Sequence, residues 1–393
     1  MNTLQTLFSL WEDTGFHNAN WGNIGMIIVG MILLFLSIRY SIKPLLLIPL
    51  SVGIVLGNIP FFHEAAYHIG IYQDGSVLNY LFLGVLKGIY PALIFLGLGA
   101  MTDLSPLISN PKLMLLGAAA QIGIFATFLG AMVFGFPMPE SAAIAIIGAA
   151  DGNTAIFLTS QVANTLGTSG EGMAVQSLIG PIAIAAYLYM ALVPVIQPPI
   201  MKLLTTKKER LIRMKPSRTV SRFEKILFPL LGLLLTAFVA PASLPLLGMF
   251  FFGNILKESG LTKQLATTAS TIMIDIVVIL IGFTVGASTQ ADVFLKWQSL
   301  LIFILGAVAF MVATAGGVVF AKVMNLFLKK ENRINPLVGA AGVAAIPDSA
   351  KVAHEMGIKE DPTNHLINHA MAPNIAGLIG SAITAGLLLG FLF

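Results

Sequence analysis

The stretch Gly148-Ala149-Ala150-Asp151-Gly152-Asn153-Thr154-Ala155-Ile156-Phe157 puts a carboxylate, an amide and a hydroxyl into an otherwise apolar run of membrane length. An ionisable group in such a segment is costly, so it faces a cavity or a bundle interior and marks an ion or proton path. The small residues around Asp151 leave room for non-helical backbone, whose free carbonyls can act as ligands. The bland alternative is a carboxylate paired to a neighbouring helix.

The rest of the chain supports that setting. Of 393 residues, 56% are hydrophobic and 10% charged, with a mean hydropathy of +0.88. So little charge cannot cover a soluble globule of this size, and the composition implies an all-α polytopic membrane protein. The chain has no cysteine, which excludes disulfides, thiol catalysis and cysteine-ligated metals, and its six histidines show no zinc spacing. The net charge of +4 is not a nucleic-acid signal: nine of the 22 Lys and Arg residues fall between Lys202 and Lys225, a run that reads as a cytoplasmic loop. Glu12 and Asp13 stand where a cleavable signal would be basic, so the first apolar run is expected to remain a membrane helix.

Apolar runs predict helices at about 24–38, 44–59, 79–100, 112–134 and 174–198, then 227–242, 244–256, 266–287, 298–325 and 364–392. The runs 141–163 and 336–357 are interrupted by Asp151-Gly152-Asn153 and Pro347-Asp348-Ser349, and read as re-entrant hairpins or broken helices. The halves also match in order. Pro49 and Gly57-Asn58 recur as Pro245 and Gly253-Asn254, Gly99-Ala100-Met101-Thr102 as Gly286-Ala287-Ser288-Thr289, Asn153-Thr154-Ala155 as Asp348-Ser349-Ala350, and Pro181 as Pro373. This pattern divides the chain into a first membrane repeat (1–200), a basic cytoplasmic linker (201–226) and a second membrane repeat (227–393).

With each interrupted segment a hairpin, each repeat has five spans, an odd number, so the second repeat is expected to be inverted. Charge distribution fits: Arg39, Lys43, Lys112, Lys257, Lys263, Lys329, Lys330 and Arg333 fall on the side of the linker, and Glu12, Asp13, Glu64 and Asp74 on the other. Lys296, beside Asp292, is the exception. Inverted repeats with broken helices are a transporter architecture whose site lies where the breaks meet. Asp151 and Asp348 are therefore expected to approach each other, flanked by Asn153, Thr154 and Ser349, with Tyr187, Tyr189, His369, Asn374 and Ser381 from the helices that follow. Such oxygen donors suit a hard cation but do not separate Na⁺ from H⁺ or Ca²⁺. Lys87 and Asp275, both inside spans, are expected to form a structural ion pair, and Tyr187 to serve helix packing.

Ala149-Ala150-Asp151-Gly152-Asn153-Thr154-Ala155, Ala186-Tyr187-Leu188-Tyr189-Met190-Ala191-Leu192-Val193-Pro194, Gln197-Pro198-Pro199-Ile200-Met201 and Glu209-Arg210 resemble the β subunit of the Na⁺-transporting carboxylic acid decarboxylases. The resemblance covers nearly the whole chain. It implies decarboxylation of carboxybiotin, carried on a partner's biotinyl subunit, coupled to Na⁺ export. A soluble carboxyltransferase (α) subunit would select oxaloacetate, methylmalonyl-CoA, malonate or glutaconyl-CoA, and a small γ or δ membrane subunit is a further implied partner. Residue by residue, the family's essential aspartate falls on Asp151, its functional tyrosine on Tyr189, and its C-terminal Asn/Gly/Ser cluster on Asn374, Gly377 and Ser381. Together with Asn153, Thr154, Asp348 and Ser349 from the two breaks, these residues make the expected Na⁺ ligand set Asp151, Asn153, Thr154, Tyr189, Asp348, Ser349, Asn374, Gly377 and Ser381, with Asp151 and Tyr189 as the implied catalytic pair. Two departures stand out: Asp-Gly-Asn-Thr replaces the family's Asp-Gly-Pro-Thr, and no arginine follows Arg333, so Lys351 or another group must fill that role if it is kept.

Two functions compete on these grounds. One is a transport subunit in a bacterial or archaeal cytoplasmic membrane, with lipid as its surroundings and homo-oligomerisation compatible with the design. The other is a Na⁺/H⁺ antiporter or anion carrier of similar inverted-repeat fold without enzymatic activity. Periodicity and charge allow both, and there is no Walker sequence to suggest ATP drive.

Overall fold

In the computed structural model, residue 11, residues 14–60 and residues 68–393 are described; Glu12, Asp13 and Glu64 lie outside them. The described residues are mostly helical, with no strand among them. Six helices are long and apolar enough to cross a membrane, or seven if one bent pair counts as a span. The protein is thus a multi-pass membrane protein.

The principal helices are α1 (Trp21–Tyr40), α2 (Pro44–Gly57), α3 (Val77–Leu86), α4 (Ile89–Met101), α5 (Pro111–Val133), α6 (Met138–Ala145), α7 (Gly152–Leu166) and α8 (Gly170–Leu204). They continue as α9 (Arg222–Val239), α10 (Leu244–Glu258), α11 (Lys263–Ser288), α12 (Trp297–Phe327), α13 (Asp348–Glu360) and α14 (Ile367–Leu392). The apolar windows of α14 and α8 are 67% and 61% buried, against 17% for α1. The core therefore lies around α8, α14 and the interrupted segments between them, and α1 is peripheral.

One expected span, 79–100, is broken. Gly88 takes φ +70°, a left-handed conformation that costs glycine little, and α3 and α4 meet there at 58°. The expected ion pair between Lys87 and Asp275 is not formed. Lys87 donates instead to Asn164 Oδ1 at 3.4 Å, and Asp275 is exposed on α11.

Packing between the halves is reciprocal: α2 lies against α11, and α4 against α10. A Cβ on Gly53 would sit 2.1 Å from the Phe283 carbonyl oxygen, and one on Gly253 2.0 Å from that of Leu96. Likewise a Cβ on Gly286 would sit 2.1 Å from the Leu50 oxygen, and one on Gly99 1.9 Å from that of Phe250. Only residues without a side chain allow backbones this close. By these contacts Gly53 corresponds to Gly253, whereas Asn58 and Asn254 donate to the carbonyls of the matched Thr289 and Thr102, at 2.7 and 2.9 Å, as the sequence match of Gly57-Asn58 with Gly253-Asn254 has it.

The linker is held by side chains of the second half. Arg210 pairs with Glu360 at 2.7 Å and Arg213 with Asp361 at 2.7 Å. Asn335 Nδ2 donates to the carbonyls of Arg210 and Ile212, at 2.8 and 2.9 Å. Hydrogen bonds from the Thr363 amide and hydroxyl, reinforced by Arg213, hold the Asp361 carboxyl down to about 2.

Candidate functional site

The two interrupted segments meet. In the first, α6 tightens into a 3₁₀ turn at Ile146–Ala149, Ala150 takes φ +53°, and Asp151 caps the start of α7. In the second, a 3₁₀ run at Pro336–Gly342 is followed by extended backbone at Val343 before α13 begins at Asp348. The Ala344 amide donates to the Ala149 carbonyl at 3.0 Å, joining the two breaks.

Asp151 is 1% exposed. Its Oδ1 accepts from the Thr154 amide at 3.2 Å, and its Oδ2 from the hydroxyls of Thr154 and Ser381, both at 2.6 Å. The N-terminal dipole of α7 adds to these. Among the described residues no cationic side chain pairs with it. Hydroxyls and one amide offset only part of the cost of burying a carboxylate. What remains is a demand for positive charge, which a Na⁺ or a proton can meet.

A second oxygen-rich cradle lies in the other break. Asn374 Nδ2 faces the carbonyls of Ala341, Val343 and Ala345 and the Ser349 hydroxyl, at 3.1, 2.8, 3.5 and 2.9 Å. Four acceptors share its two hydrogens, while the buried Asn374 Oδ1 has no partner. Such a surplus of oxygen suits a hard cation.

The other expected ligands are distributed as follows. Asn153 Oδ1 accepts from Tyr187 OH at 2.9 Å, and a Cβ on Gly152 would strike the Tyr187 ring at 2.2 Å. Tyr187, expected to serve packing alone, thus lies directly beside Asp151. Tyr189 donates to the Phe303 carbonyl on α12, so the structure does not bring it to Asp151. Asp348 is not brought there either, because its carboxylate pairs with Lys43. Gly377 packs tightly, with a Cβ position 2.2 Å from the Gly342 oxygen. His369 is buried with Nδ1 unpartnered, and Lys351 is exposed on α13. Lys43 was legible only as a topology signal. It reaches Asp348 because Ser41 and Lys43 both take positive φ, 52° and 40°, in the turn between α1 and α2.

Residues 22–392 match the family described as the Na⁺-transporting oxaloacetate decarboxylase beta subunit. The chain belongs to that family. It is 48% identical to the methylmalonyl-CoA decarboxylase subunit beta of Propionigenium modestum, over 98% of this chain and 99% of the relative. It is 42% identical to the oxaloacetate decarboxylase beta chain of Klebsiella pneumoniae, over 99% of each. The glutaconyl-CoA decarboxylase subunit beta of Acidaminococcus fermentans shares 45%, over 98% of this chain and 96% of the relative. The family's function is biotin-dependent decarboxylation coupled to Na⁺ transport.

Proposed function

We propose that this chain forms, within a cytoplasmic membrane, the Na⁺ path of a biotin-dependent decarboxylase. A carboxyltransferase subunit selects the acid, a biotinyl subunit delivers carboxybiotin, and a small membrane subunit completes the assembly. Release of CO₂ from carboxybiotin leaves the biotin nitrogen needing a proton. Asp151 can hold either that proton or a Na⁺, and the two exclude each other at one carboxylate. An inward proton exchanged for an outward Na⁺ follows. One proton in for one Na⁺ out moves no net charge, so the membrane potential opposes only Na⁺ moved beyond that ratio, at about 2.3 kcal/mol per ion against 100 mV, and decarboxylation must supply that cost.

The observation carrying this reading is the enclosure of Asp151 by hydroxyls, with no cationic side chain among the described residues, at the point where the two breaks are hydrogen-bonded. The Asn374 cradle is read as a second station for the ion. Reciprocal packing of α2 with α11 and α4 with α10 supports two inverted repeats of five spans, 1–200 and 227–393, around the linker 201–226. The test is Na⁺ uptake by inside-out vesicles carrying the assembled complex. Uptake should start on addition of the carboxylic acid and stop with avidin. Avidin-insensitive Na⁺ exchange driven by a pH step alone would favour the antiporter instead.

A further inference from the structure

Beyond the ion path, the face that carries the linker holds a cavity of about 250 Å³, bounded by Asn110, Lys112, Lys215, Leu328, Asn332 and Arg333. These residues come from three parts of the chain: the start of α5 with the residue before it, the linker, and the segment after α12. Three cations thus converge on one small space. Among the described residues Lys112 and Arg333 form no ion pair, and Lys215 pairs only with the exposed Glu331, at 3.7 Å, while its Nζ donates to the neutral Asn332 Oδ1 at 3.0 Å. An exposed pair of that kind contributes little. The cavity therefore presents nearly unneutralised positive charge with two carboxamides beside it, a donor set suited to phosphate oxygens.

Depth decides which phosphate. α12 has 31 residues, about 46 Å of helix, against about 30 Å of bilayer hydrocarbon. Its last residues therefore emerge among the lipid head groups. There Leu326 and Phe327 are 80% and 85% exposed, immediately before Leu328 at the cavity wall. Apolar surface at the membrane boundary next to a cationic cavity matches an acyl chain joined to an anionic head group. We infer that this cavity binds the phosphodiester head group of an anionic phospholipid, with an acyl chain along Leu326 and Phe327.

The full-length chain, purified in detergent, can be titrated with phosphatidylglycerol, phosphatidylcholine or free glycerol 3-phosphate, with bound lipid counted by native mass spectrometry. Phosphatidylglycerol should be retained well above phosphatidylcholine. In K112Q/R333Q its affinity should fall about thirtyfold, roughly fivefold for each charge. K207Q/K208Q removes the same charge from the linker and should leave retention unchanged. Melting in phosphatidylcholine alone separates misfolding from lost binding, since both variants should melt as the parent does. Equal retention of the two lipids would overturn the inference. So would unchanged affinity in K112Q/R333Q, or equal competition by free glycerol 3-phosphate.

Discussion

Asp151 and Asp348 each stand beside the break in an interrupted segment, yet their charges are met differently. Asp348 is paired with Lys43, which the left-handed turn after α1 delivers to it, and its side chain is 18% exposed. Asp151 is sealed in and met by hydroxyls and an amide alone. A charge already neutralised by the protein has little to gain from Na⁺, whereas one held by neutral donors has much. What sets the carboxylate proposed to take Na⁺ apart from Asp348 is that no counter-charge among the described residues meets it; both stand beside a break.

The largest effect should come from Asp151→Asn, which keeps shape but removes the charge that offsets cation dehydration. Na⁺-dependent decarboxylation should fall by more than about a hundredfold while insertion and assembly persist, as expected for the loss of one member of a buried charged pair. Normal Na⁺ activation in that variant would sink the assignment. Asp348→Asn combined with Lys43→Met removes both members of the other pair and should change activity by less than about threefold, since deleting a whole pair costs far less than deleting half. A loss matching that of Asp151→Asn would erase the distinction.

Intermediate effects are expected around the shell. Ser381→Ala deletes a neutral donor and leaves the charge, so the half-saturating Na⁺ concentration should shift by about tenfold, and by a similar amount for Asn374→Ala. The proposed competition of proton and ion for one carboxylate requires that concentration also to rise as pH falls, by up to about tenfold per unit if one H⁺ opposes one Na⁺. Flat Na⁺ dependence from about pH 8 to about pH 6, a range set by the span over which a buried carboxyl titrates, would break the exchange mechanism.

The smallest effect belongs to the linker. Arg213→Ala should shift the melting temperature by less than about 2 °C, as for other exposed pairs. Its partner Asp361 titrates near 2 in the folded chain, below its ordinary 3.8. The stability that the Thr363 hydrogen bonds and, to a lesser extent, the Arg213 pair give through this carboxylate is therefore complete above pH 3.8 and is lost as pH falls through about 2. Melting curves of parent and variant should converge at that acid limit.

Asp151 was legible because a carboxylate in an apolar run has few bland explanations. The two breaks were legible from their Gly, Asn and Pro residues, and the chain's membrane class from its composition. The bend at Gly88 was not, because glycine is also common in straight membrane helices and only the observed φ separates the cases. Tyr187 and Tyr189 lie two residues apart on one helix, so hydropathy treats them alike. The structure turns one toward Asn153 and the other toward Phe303. Pairing of Lys43 with Asp348 joins residues separated by most of the chain, and no local pattern in either stretch encodes it.

The glycine contacts between α2 and α11, and between α4 and α10, have a mechanical consequence. These helices are keyed: sliding either pair by one residue would bring a side-chain-bearing carbon where only a hydrogen now fits, against a carbonyl about 2 Å from any Cβ placed there. The close approach of the backbones thus specifies the register of both pairs. The proposed exchange, which requires Asp151 to open to one side of the membrane and then the other, therefore falls to segments outside these contacts.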